Sequence, residues 1–137
     1  MMRRHDWQAR LDAVLRAAET RPFAWGRHDC ALFACDCIAA MTGEDPAARF
    51  RGRYRTARGA YGALRRIGGA RDPGALATKL LGAAVSPAFA RRGDLAEVET
   101  DGGPALGIAL GSVVALVAFE GLVRVGVDRA RRAWRVG

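Results

Sequence analysis

The order of patterns along the 137-residue chain predicts an α+β fold. Three observations carry this. Helix grammar, with apolar residues three or four apart and cap signals at the ends, fills the chain to about residue 82. Short apolar runs parted by glycine turns fill the rest. Near the front, Cys30 to Met41 is apolar almost all round yet too short to cross a bilayer, as expected of a helix buried at the centre of a core.

Taken in order, Asp6 to Thr20 carries an amphipathic stripe of Trp7, Leu11, Val14, Leu15 and Ala18, and Arg21-Pro22 ends it. The loop Pro22 to Asp29 gathers Phe23, Trp25, Gly26 and His28. The central helix follows, with Asp29 as its cap and Gly43 as its stop. Glu44 to Arg58 is polar and arginine-rich with little pattern. Thr56 caps a helix reaching Ile67, with Ala60, Tyr61, Leu64 and Ile67 on one face. Asp72-Pro73 opens a short helix ending near Leu81-Gly82. The section from 44 to 82 reads as a helical layer in preference to a lid.

From Ala83 the period becomes that of strands. Short segments around Val85, Phe89, Leu95 and Val98 precede Ala105 to Leu110, Val113 to Phe119 and Leu122 to Val127. Gly111-Ser112 and Glu120-Gly121 are the joints. Trp134-Arg135-Val136 adds a last edge strand. One domain over 1–137 is expected, its helical part about 5–82 and its sheet part about 83–137.

The formal net charge is +8, and Lys79 is the only lysine among 22 basic residues. Such a charge favours anionic partners without choosing among them. The arginines are scattered singly and in pairs, without aromatic interleaving, which argues against specific nucleic-acid binding. The basic start Met1-Met2-Arg3-Arg4 runs into His5-Asp6-Trp7, so no signal peptide is expected. Nor is membrane insertion, because the longest apolar run holds Gly107, Gly111 and Ser112. Cys35 and Cys37 are too close to bridge within a helix, and the three cysteines face different ways. Neither a disulfide framework nor a metal site is expected, and no cofactor is implied.

Cys30 at a helix start, among unpaired N–H groups and the positive end of the helix dipole, is the candidate nucleophile. The competing reading makes it a small apolar packer. His28, two residues earlier, is the nearest candidate base, and His5 a remote one. Asp29 serves as cap or as catalytic partner. Trp25 and Gly26 are candidate walls of a groove above Cys30. Asp94 follows Gly93 in a turn leading to an apolar strand. Asp36 interrupts the apolar helix and needs a partner such as an arginine.

Phe23-Ala24-Trp25-Gly26, Asp29-Cys30, Gly93-Asp94-Leu95 and the stretch Ala105 to Gly111 together resemble the NlpC-type cell-wall cysteine peptidases, a branch of the papain-like fold. The resemblance implies a Cys-bearing helix packed on an antiparallel sheet, with Cys30 as nucleophile and Asp94 and Ala105 beside a substrate groove. It also implies peptidoglycan peptides as substrates. Ala105 stands where that family has its basic histidine. Val113 to Phe119 offers no third polar residue, and Ala31 replaces a common serine.

The chain is also similar to a group of small prophage and phage tail-cluster proteins of unestablished activity. They share the Trp-Gly-x-His-Asp-Cys loop, the Gly-Asp element and a closing Arg132-Ala133-Trp134-Arg135. That likeness implies tail or tail-assembly partners, and a place in the bacterial cytoplasm during assembly or in the virion tail. Three functional readings follow. One is a tail-associated scaffold with an incomplete catalytic set. The second is an active peptidase or amidase with an unconventional base, and the third is a basic nucleic-acid binder.

Overall fold

Side-chain caps fix the start of three of the four helices. In the computed structural model, which describes residues 1–137, α1 spans Trp7–Ala18, α2 Cys30–Thr42, α3 Ala57–Arg66 and α4 Pro73–Leu81. Asp29, Thr56 and Asp72 each accept a hydrogen bond from the backbone N–H three residues on, satisfying a donor that the helix leaves open. Pro73 takes the first helical position of α4, where no N–H is needed. Gly43 closes α2 at φ 84°, a left-handed geometry that suits glycine. Asp6 makes no cap bond; its carboxylate pairs with Arg10 at 2.8 Å.

The strands are β1 Leu95–Thr100, β2 Gly103–Ala109, β3 Val113–Ala118, β4 Gly121–Gly126 and β5 Ala130–Trp134. They form one antiparallel sheet in the order β4-β3-β2-β1-β5. The α+β expectation is met, with small shifts of strand ends. The stretch 83–94, expected to hold strand segments at Val85 and Phe89, instead has only a bridge at Val85 and a 3-10 turn over Pro87–Phe89, where the proline favours a turn. The last strand begins earlier than Trp134 and pairs with β1 instead of its sequence neighbour β4. A short 3-10 turn at Val127–Arg129 carries the chain to that edge. Val85 then bridges Ala133 from outside.

β2 and β3 are joined only at Ile108–Ala115 and Ala109–Val114. Beyond those pairs no ladder links the two strands, although Gly107 still lies close against Ala115 and Leu116.

α1 and α2 pack on one sheet face. Leu11, Leu15, Phe33, Ile38 and Met41 meet Leu106, Ile108, Val117 and Trp134 in the main core. A second cluster lies on Ala96, Val98, Ala105, Val114 and Leu116, and Cys30 at the tip of α2 packs against it. The third joins Leu32 of α2 to Ala47, Phe50, Ala63 and Leu64. Residues 44–82 are therefore a layer with a share of the core, as the patterning suggests. No helix is long and apolar enough to cross a membrane.

Candidate functional site

Asp29 organises the approach to α2. It is 1 % exposed, and a buried carboxylate needs donors. It has three. Leu32 N and Gly26 N each donate at 3.0 Å, and the Tyr54 hydroxyl donates at 2.6 Å. Gly26 makes the loop possible. Its φ is +79°, and a Cβ there would run into the Tyr54 carbonyl. Gly26 shapes the loop from beneath and does not line the groove that the sequence suggested for it.

Cys30 is the first residue of α2 and lies on the wall of a groove of about 560 Å³. Trp25, Tyr54, Tyr61, Leu80, Ala105 and Phe119 also line it. The walls come from the entry loop, α3, α4 and the ends of two hairpins. Phe23 sits edge-on to Trp25 and to Phe119, with ring centres 4.9 and 4.8 Å apart, and Trp25 and Phe119 are 6.0 Å apart. Phe119 is nonetheless 75 % exposed. The three rings form one aromatic cluster on the lining of an apolar cleft.

Burial opposes the thiolate that a helix start favours. Burial pushes the Cys30 thiol above its ordinary value, and the nearby Asp29 carboxylate adds to the rise. The backbone N–H groups of Leu106, Ala31 and Cys30 itself pull the other way without overcoming burial. The helix-start position alone suggests a favoured thiolate; desolvation wins.

Neither histidine joins Cys30 in the groove lining. His28 is 2 % exposed, its ring edge-on to Phe33 at 6.2 Å, and both ring nitrogens lack partners. Burial lowers its pKa; Arg21 lowers it further, while Asp36 and Asp29 oppose. His5 lies beside the opposite end of α2, because Arg4 N donates to Met41 O at 2.7 Å. At 1.5 Å rise per residue that end is roughly 16 Å from Cys30. No three His, Cys, Asp or Glu side chains gather to hold a metal ion.

Residues 2–136 match the family described as "Domain of unknown function (DUF6950)". The chain belongs to the DUF6950 family. No curated protein matches it.

In this DUF6950 chain Asp94 does not line the groove, contrary to its expected place. It is buried at the Met41 end of α2, where Gly93 abuts the Met41 sulfur. Its carboxylate takes Arg3 Nη2 at 3.0 Å, Val136 N at 3.1 Å and Arg91 N at 2.9 Å. It clasps both chain ends to the turn before β1. Asp36 finds the arginine it needs: Arg51 at 2.7 Å, which also pairs with Asp45 at 2.9 Å.

The sequence reading missed Tyr54 and Phe119 as site residues. Tyr54 sits in a stretch without periodicity, so nothing local marks it. Phe119 ended an apolar run, which reads as strand interior. Its neighbour Glu120 was the available sign that it belongs to a turn.

Proposed function

We propose that this DUF6950 chain is a phage or prophage tail-associated protein on an NlpC-like, papain-type scaffold, whose groove holds a partner segment without hydrolysing it. One observation carries the non-catalytic part. Ala105, not a proton acceptor, belongs to the cluster against which Cys30 packs, and no histidine lines the groove. A general base contributes about 10²–10⁴-fold. The tail association rests on the likeness of the loop Trp25 to Cys30 and of the closing Arg132 to Arg135.

The test is peptidoglycan digestion with purified protein and with Cys30→Ala, followed by chromatography of released fragments. The expected result is no release that depends on Cys30. In the parent phage element, Cys30→Ala should keep the particle yield, whereas Ala118→Trp, which fills the groove, should lower it. Cys30-dependent release of stem peptides would overturn the reading. It would favour the second one, an atypical cysteine peptidase. The backbone N–H groups of Leu106, Ala31 and Cys30 around the sulfur are the observation on that side.

A further inference from the structure

The groove differs in charge from the rest of the molecule. The chain holds 22 Lys and Arg against 14 Asp and Glu, yet no Lys or Arg lines the groove. Its charged lining residues are all acidic: Asp29, Asp101 and Glu120. Asp29 is consumed by its three donors. Asp101 and Glu120 are exposed, one on the β1–β2 turn and the other on the β3–β4 turn. Neither has an ion-pair partner, although nine other carboxylates of the chain do.

The backbone is also open here. Gly103 to Ala105 of β2 and Leu116 to Ala118 of β3 line the groove; each pairs with its outer neighbour, β1 or β4, but their facing edges do not pair with each other. An unpaired strand edge is what an extended peptide adds to, with side-chain pockets giving selectivity. The volume fits a short segment.

We propose that the groove takes an extended, largely apolar peptide segment carrying one cationic side chain, the cation reaching the turns that hold Asp101 and Glu120. This rests on the partner-binding reading above and names the chemistry of the partner. A polar, anionic wall fragment meets the wrong surface here, with aromatic walls and acidic turns.

The test uses three capped pentapeptides, Leu-Val-X-Val-Phe, with X as Arg, Gln or Glu, titrated at low salt and followed by tryptophan emission and calorimetry. The Arg peptide is expected to bind about three- to tenfold tighter than the Gln peptide, the scale of two exposed charge pairs. The Glu peptide should be weakest. The double variant Asp101→Asn/Glu120→Gln should bring the Arg peptide to the Gln level and leave the Gln affinity unchanged. Added salt should narrow the same gap. Equal affinity for Arg and Gln peptides, or a preference for Glu, overturns the cationic assignment and leaves the groove reading standing. No binding by any of the three, with the protein folded, overturns both. Sedimentation showing a dimer that excludes the Arg peptide also overturns the proposal, because the occupant is then a second copy.

Discussion

The Tyr54 hydroxyl donates a 2.6 Å hydrogen bond to Asp29, linking the patternless segment before α3 to the cap of the central helix. Burial first, and the bond to Asp29 second, push the Tyr54 phenol well above its ordinary value, so it stays a donor at any working pH. The bond fixes one wall of the groove relative to Cys30.

Removing either partner should therefore be costly. Asp29→Ala loses a cap and strands two other donors, an expected loss of about 2–4 kcal/mol. Tyr54→Phe removes one charge-assisted bond, about 1.5 kcal/mol. Urea denaturation of both single variants and the double variant checks this. The double should lose less than the sum, because the two side chains share the interaction.

Gly26→Ala should destabilise by more than about 3 kcal/mol, or prevent folding. A left-handed alanine costs roughly 1–2 kcal/mol, and the added Cβ meets the Tyr54 carbonyl, which is backbone and cannot swing aside. Thermal unfolding is sufficient to read it. An alanine tolerated there would mean that the loop is not held as described.

Asp94→Ala opens the clasp on Arg3 and Val136 at the far end of α2. Breaking a pair whose carboxylate is buried costs about 3–5 kcal/mol. Peptide affinity at the groove should stay within about twofold, because distant sites are nearly independent. A parallel loss of affinity would return Asp94 to the site.

These residues also mark what the sequence could and could not disclose. Caps are local, so Asp29, Thr56, Asp72 and Gly43 gave the ends of α2, α3 and α4 within a residue or two. Strand period and turns marked β1 to β4, but not the 3-10 turn at Pro87–Phe89, which an apolar run with a proline does not separate from a short strand. Partners distant in sequence were illegible: Asp94 with Arg3 and Val136, Tyr54 with Asp29, β5 with β1. Nothing in a periodicity says which strand another joins. Burial likewise reversed the thiolate expected of Cys30, because a helix-start position is visible in sequence and desolvation is not.

His28 should leave an acid signature. Its folded pKa lies below the ordinary value of about 6.5, so the unfolded chain binds the proton more readily. Its contribution is complete above about pH 6.5 and is lost as pH falls from there toward the lower folded value. Asp6 and Asp45, held below the ordinary carboxylate range, act in a separate and more acidic window. His28→Leu should flatten the stability profile just below about pH 6.5. At pH 7 the variant should be no less stable, because two unpartnered ring nitrogens are removed. Urea midpoints across that range decide it.

On the proposed reading the groove binds and the sulfur at its wall does not attack. The most direct test of that reading is the rate of Cys30 alkylation by iodoacetamide against pH, read by mass spectrometry with Cys35 and Cys37 as internal references. The expected profile is slow at pH 7 and climbs only above about pH 9, following a thiol raised by burial. Rapid labelling at neutral pH, with an apparent pKa below 7, would contradict it and make Cys30 a working nucleophile.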